Sequence, residues 1–387
     1  MITIETADNA LKSFYLDAVT ESLNLKVNPL LAKIGHSTAD VVGKDVRKLV
    51  KVGVSGGIGA GTETGDLPSA SAAQRVQFVS TLKNLYGTIE ISDKALRASA
   101  TNEGAFVNLL NDEMQSLVRS ASFQFGRMLF GDGSGYLAEA LDGTTHVIYT
   151  PNVQNITEGM IVDFYRDGEP VPSLQKRKVV GVDRANNLFV IGGERTDSDT
   201  VMGTQVYLHD AKDYELTGLK AIFENEELYG LKKEENLFMT PYIEEHVGDI
   251  SENVIQCAMD HIEEASGSKV NFIVCSWGVK RALVEYYRNL STVLPTVEFG
   301  NGLKAMSFNG VPIVTDRFCP EGTMYLLNTD DFKLHQLCDW KWLEGEDGKI
   351  LKQIPGKPVY TATLVKYAEL MCERPGGQGM LTGITEK

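Results

Sequence analysis

Charged and apolar residues alternate along 46–54 (V-R-K-L-V-K-V-G-V), and 75–92 (R-V-Q-F-V-S-T-L-K-N-L-Y-G-T-I-E-I-S) reads the same way. A period of two puts successive side chains on opposite faces of a strand. The pair predicts the two arms of a long β-hairpin, with 75–92 as one strand returning from the tip. Six glycines lie between the arms, from Gly53 to Gly65, and a Ser/Ala run follows. Glycine permits positive φ and raises chain entropy, which suits a mobile tip.

Elsewhere the period is 3.6. Leu11, Phe14, Tyr15, Ala18 and Ser22 share a face and predict a helix over 7–24; residues 25–45, with Pro29 and Gly35, read as an extended arm. The longest helical pattern is 103–130, carried by Phe106, Val107, Leu110, Met114, Leu117, Val118, Ala121, Phe125 and Met128. Such a helix is roughly 40 Å long, and Gly131, Gly133 and Gly135 stop it. From 146 to 209 the character changes. HVIYT, MIVDFY, KVVGV, NLFVI and TQVYL are short strands separated by turn residues, which predicts a small barrel or sandwich. Residues 217–266 read as helical and acidic. Residues 270–290 read as strand then helix, with Ser276 as N-cap. Two strands around a Pro/Gly loop are expected over 308–334, and the last strands over 357–373 and 380–384.

The glycine tip invites a phosphate-binding reading, which its spacing rejects. Gly57 and Gly59 match a dinucleotide fingerprint, but Thr62 stands where its third glycine belongs; from Gly59 and Gly61, Thr64 does. A P-loop needs a lysine, and none occurs from Val52 to Arg75. Glu63, Asp66 and Pro68 follow instead of a helix, and the carboxylates repel phosphate.

Totals narrow the classes further. The chain has 387 residues, 43% hydrophobic and 23% charged, enough for two or three domains. Net charge is −15, so tight binding of nucleic acid is not expected. Charge is unevenly spread. Lys26, Lys33, Lys44, Arg47, Lys48 and Lys51 face only Asp40 and Asp45 between Leu25 and Val54, a local +4 at the hairpin base. Twelve Asp/Glu from Ala221 to Glu264 face only Lys232 and Lys233, a local −10. Cys257, Cys275, Cys319, Cys338 and Cys372 are odd in number, widely spaced and in apolar contexts, which predicts buried free thiols in a reducing compartment. No apolar run reaches about 18 residues, and the amphipathic, acidic start is not expected to be a signal peptide.

Candidate chemistry is sparse. The six histidines form no HExxH motif and no pair at metal spacing. Asp260, His261, Glu263 and Glu264 can be read as cation ligands, but more simply as a solvated helix face. Cys275-Ser276-Trp277-Gly278 ends a strand as a nucleophile turn does, yet it is not GxSxG and no base accompanies it. The doublets Glu226-Glu227, Glu234-Glu235, Glu244-Glu245 and Glu263-Glu264 point different ways on a helix and form no dyad. Trp340 and Trp342 alternate along a strand and are expected to pack. No catalytic, metal or cofactor site is assigned, and no enzyme activity is expected.

The order of elements carries more information than any site. VQFVSTLKNLYGTIEISDKALRAS running into the helix at 103–130, then FNGVPIVTDRFCPEGTMYLL and LVKYAELMCERP, resemble a tailed-bacteriophage major capsid protein of the Hong Kong 97 fold. The resemblance covers most of the chain outside 146–209 and rests on loose patterns in order. It implies an α+β architecture: an N-terminal arm (1–40), an extended E-loop (41–92), and a peripheral domain with the spine helix (93–145). An inserted β-barrel-like domain (146–216), an axial domain (217–307) and return strands (308–387) would complete it.

That resemblance implies a structural protein assembling through hexamers and pentamers into an icosahedral shell around phage double-stranded DNA. The hairpin would lie across a neighbouring subunit, with Lys44, Arg47, Lys48, Lys51, Gly56, Gly57, Gly59, Gly61, Glu63 and Asp66 as inter-subunit contacts. Charge reversal at the four cations together is then expected to reduce assembly. Expected partners are further copies of the chain, a separate scaffolding protein, a portal protein, a decoration protein, and packaged DNA held without tight sequence-specific binding, with no membrane. Expected locations are the virion and, during assembly, the host cytoplasm. Some relatives join subunits by a Lys–Asn isopeptide bond. The tip from Val52 to Arg75 has no lysine and no asparagine follows Asn328, so no such crosslink is expected. Some relatives also begin with a long scaffolding segment, and no long charged helix precedes the arm here. Two other readings remain open: an encapsulin-like compartment, for which the inserted domain is unusual, and a cytosolic metal-dependent α/β enzyme using the acidic region.

Overall fold

The computed structural model describes residues 28–387 except 55, 67–68, 70–71, 95–102, 145, 195–196, 291–294, 301–302 and 346–347. The helix expected over 7–24 lies outside the described residues.

The first sheet is organised around the 14-residue strand Val359–Cys372. On one side it pairs antiparallel with Lys83–Ser92, on the other with Phe332–Trp342. Lys352–Gln353 pairs near its start. Gly35–Ser37 adds to Phe332–Trp342 in parallel. The segment read as an extended arm is therefore anchored from residue 28 onward: Leu30, Leu31 and Ile34 are buried around the short 3-10 turn Leu31–Lys33. The spine helix Glu103–Phe130 has the expected bounds. It approaches the sheet closely where Leu117 lies over Gly87. Phe125 and Met128 are buried as its period requires, and so are Phe123, Leu129 and Phe130, because the end of the helix is enclosed on several sides.

The second sheet has seven strands in the order Tyr242–Glu244, Gly379–Leu381, Met324–Leu327, Phe272–Cys275, Val311–Thr315, Leu303–Phe308, Thr296–Gly300. Helices Glu252–Ser266 and Trp277–Asn289 bury Ile255, Ile262, Val279, Leu283 and Tyr287 against it. Each begins at a serine cap: Ser251 Oγ accepts from Val254 N and Ser276 Oγ from Val279 N.

A third, eight-stranded sheet forms the inserted unit. Its strands include the five expected ones: Val147–Tyr149, Ile161–Arg166, Arg177–Asp183, Leu188–Ile191 and Thr204–Leu208. It also takes in Tyr136–Ala140 and Asp142–Thr144, which precede residue 146. Those two strands occupy opposite ends of the strand order, yet only Leu141 separates them. The sheet therefore curls round on a core that includes Val162, Phe164, Val179, Phe189 and Val206. The incoming and outgoing chains run side by side: Glu215 N donates to Gly133 O, Asp213 N to Ser134 O, and Ala221 N to Gly131 O.

Three sequence expectations need correction. The stretch 75–92 is two strands: Gln74–Thr81 pairs with the hairpin arm Asp45–Val52, and Lys83–Ser92 joins the first sheet. Leu82 N donates to Lys44 O at the switch between sheets, a tertiary event that alternation cannot signal. The helical reading of 217–266 holds only for Leu219–Glu224 and Glu252–Ser266. Between them lie the small hairpin Glu227–Leu228/Leu231–Lys232, turning through Tyr229 and Gly230 at φ +53° and +76°, and the strand Tyr242–Glu244. A charged, solvent-facing stretch mimics helical polarity, but left-handed residues stop a helix. Finally, Cys275, Cys319 and Cys372 are buried, whereas Cys338 is half-buried and Cys257 exposed, so the thiols are not uniformly in the core.

Candidate subunit-contact surface

The hairpin Asp45–Val52/Gln74–Thr81 is an amphipathic two-strand arm, widened at its base by Val41–Val42. Directly opposed residues share a face. On the inner face Val46 opposes Ser80 and Lys48 opposes Phe78, with Val46 and Phe78 fully buried. Phe78 packs on Tyr229 and Phe238, ring centroids 5.4 and 6.4 Å away. On the outer face Arg47 opposes Val79, Leu49 opposes Gln77 and Lys51 opposes Arg75. All six are solvent-exposed, Leu49 by 56%. Toward the tip Val54 is 92% and Ile58 89% exposed.

The ten residues expected to touch a neighbour do not all share this surface. Arg47 and Lys51 lie on the outer face, and Lys44 is exposed beside the base. Lys48 belongs to the inner face, where its partners lie within the same chain. Its Nζ donates to Asp40 Oδ2 at 2.8 Å and lies 3.4 Å from Glu373 Oε1, which Lys333 also reaches at 2.8 Å. The hydrogen bond holds the Asp40 carboxyl below its ordinary range and the Lys48 ammonium above its own. Lys48 thus ties the hairpin to the first sheet within one chain, and reversing it would strike the base rather than an outward contact. At the tip Gly56, Gly59, Gly61, Glu63 and Asp66 are exposed and Gly57 half-exposed. Gly65 N donates to Thr62 O in a turn there. Arg75, Leu49 and Val79 share this outer face, a placement set by the cross-strand register, which the long tip between Val52 and Gln74 hides from the sequence.

The remaining chemical candidates resolve into structural roles. Ser276 caps its helix and donates to Glu386, while burial pushes the Cys275 thiol up to about 12, far from a nucleophile. His261 stacks on Tyr242 at 5.3 Å, Asp260 accepts from Gln256 and Glu263 pairs with Lys269. Trp340 and Trp342 are buried, as alternation predicted. A cluster with metal-ligand chemistry does occur at Asp163, His209 and Asp210 in the insertion. There His209 Nδ1 lies 2.8 Å from Asp163 Oδ2 and Nε2 lies 3.2 Å from Asp210 Oδ2, so opposite sides of one ring engage different carboxylates. Asp163 also accepts from Lys176 N and Asp210 N, which accounts for its burial without an ion. Sequence spacing gave no sign of it, because Asp163 and His209 meet across paired strands.

No protein-family model matches the chain, and no curated protein matches it by sequence. Solved structures do. The cyanophage A-1(L) capsid asymmetric unit aligns over 92% of this chain and 93% of its own, with a TM-score of 0.59 and 12% identity. A holo-SrpI encapsulin complex from Synechococcus elongatus (TM-score 0.48, 8% identity, 92% of this chain and 86% of that one) also aligns. So does the capsid of a native GTA particle (TM-score 0.47, 12% identity, 93% and 92%). The first of these shows that the architecture is a capsid-subunit fold, and the α+β arrangement is that of the Hong Kong 97 type. At such identity the likeness is one of fold.

Proposed function

We propose that this chain is a major capsid protein that assembles through pentamers and hexamers into an icosahedral shell around double-stranded DNA. The supporting observation is the amphipathic hairpin: its inner face is anchored by Phe78, while Arg47, Lys51, Arg75, Leu49 and Val79 are solvent-exposed on its outer face. On a fold shared with a phage capsid subunit, such an arm suits a neighbouring copy. The exposed tip residues, including Gly56, Gly59, Gly61, Glu63 and Asp66, would adapt to the slightly different settings of pentamer and hexamer. In this reading a separate scaffolding protein, a portal and a decoration protein are the further partners, DNA is contained rather than gripped, and the chain resides in the virion after assembly in the host cytoplasm.

Negative-stain electron microscopy tests the reading on the protein produced with and without the genes beside its own. Closed shells, or rings of five and six subunits, are expected. A uniform monomer or dimer even with those genes present would overturn it. Shells filled with an enzyme in place of DNA would redirect it to a cargo compartment.

A further inference from the structure

We infer that the outer face of the hairpin docks on the acidic hairpin Glu227–Leu228/Leu231–Lys232 and its flanks in a second copy of the chain. This deepens the proposed function and rests on that reading.

The docking face has an unusual pairing. Lys51 and Arg75 are directly opposite across the two strands, and Arg47 lies on the same face. Like charges opposed in this way destabilise an isolated hairpin. Among the described residues Lys51 and Arg75 have no ion-pair partner, and Arg47 has only Asp45 of its own strand at 3.5 Å. An arrangement that costs stability in the lone chain is relieved by carboxylates from outside. The interleaved Leu49 and Val79 favour a protein surface over a phosphate backbone, which offers nothing apolar to bury.

The small hairpin has the complementary character. Glu224, Glu226, Glu227, Glu234 and Glu235 are exposed there. Two lysines accompany them, but Lys233 is turned inward, its ammonium donating to Ile222 O at 2.6 Å and Phe223 O at 3.2 Å. Only Lys232 remains outside to offset five carboxylates. Leu237, 79% exposed, supplies an apolar counterpart to Leu49 and Val79. The hairpin is also rigidly held: Tyr229 O accepts from Val79 N, and Tyr229 Oη accepts from Cys372 N at 2.8 Å. A fixed acidic ridge loses little entropy on docking. It sits at the base of its own long hairpin, whereas the Lys51–Arg75 pair is four residues further out along the strand, about 13 Å away at ordinary strand rise. Within one chain the two surfaces form no ion pair among the described residues, so the pairing is between copies.

A charge-swap series tests this. One variant carries Arg47→Glu, Lys51→Glu and Arg75→Glu; a second carries Glu226→Lys, Glu227→Lys, Glu234→Lys and Glu235→Lys; a third carries all seven. Sedimentation measures the assembled fraction, and circular dichroism with thermal unfolding checks that each subunit folds. Each partial variant is expected to lose at least about tenfold in assembled material, and the seven-fold variant to recover most of it. Failure of the combined variant to recover, with both partial variants folded, would overturn the pairing. So would partial variants that assemble as the parent does, and if the first of them also retains less DNA, the cations serve phosphates instead. If the parent itself never forms rings or shells, the capsid reading fails and the pairing with it, an outcome separate from failed recovery.

Discussion

Arg127, near the end of the spine helix, and Glu215, on the chain leaving the inserted sheet, form an ion pair in which each side chain is only 3% exposed. Arg127 Nε also donates to Gln124 Oε1 at 3.1 Å. Lys220 meets Asp132 at 3.0 Å beside it. These contacts sew the root of the insertion to the spine. Removing one member of a buried pair strands the other charge. Glu215→Ala is therefore expected to cost roughly 3–5 kcal/mol, while the paired change Arg127→Met with Glu215→Leu costs much less. Chemical denaturation of the three proteins measures the difference. Equal losses in the single and double variants would show that packing, and not charge, holds the root.

Gly218 lies at the same junction. A Cβ there would stand 2.3 Å from Met128 O, 2.6 Å from Gly131 O and 2.7 Å from Leu129 O. Backbone oxygens at the end of a helix cannot swing aside as a side chain can. Gly218→Ala is expected to destabilise by about 3 kcal/mol or to prevent folding. Gly181→Ala, where nothing lies within 4 Å, should be nearly neutral. Melting temperatures that fall equally in both would refute the steric argument.

Stability should depend on pH through Glu369. It is buried in the first sheet, with Oε1 accepting from Thr217 N at 3.0 Å and Oε2 without a hydrogen-bond partner among the described residues. Burial raises its pKa from 4.5 to about 7. A raised folded pKa means that the folded chain holds the proton more tightly, so the stabilisation is full below 4.5 and is lost as pH rises through about 7. The loss amounts to roughly 3 kcal/mol at most. Asp316, raised to about 6 by burial, slopes the same way, and buried His335, whose pKa is lowered, slopes the opposite way. Glu369→Gln isolates one contribution: its melting temperature relative to the parent should climb across that window. A constant offset at all pH values would remove Glu369 from the account.

The thiols should sort by burial. Cys257 is exposed, Cys338 half-buried, and Cys275, Cys319 and Cys372 are enclosed, the first with its thiol pushed up to about 12. A thiol reagent added to the native protein is expected to modify Cys257 quickly, Cys338 slowly and the other three only on unfolding. Mass-mapped modification of Cys275 or Cys319 in the folded chain would contradict the packing of the second sheet.

Patterns with a local cause were legible in the chain itself. The 28-residue helix ending at Phe130, the turn of the hairpin and the cap at Ser276 depend on neighbours within a few residues, so periodicity and composition determined them. The order of elements likewise sufficed to suggest the fold. Tertiary structure decided what depends on distant partners. Leu82 switches sheets because Val359–Cys372 offers the next strand an edge. Lys48 is drawn from the basic group to Asp40 and Glu373, a carboxylate 325 positions further along the sequence. Lys233 is drawn inward to the carbonyls of Ile222 and Phe223. Counting charges along a sequence weighs every lysine alike, but a charge acts on a partner only if folding leaves it at the surface.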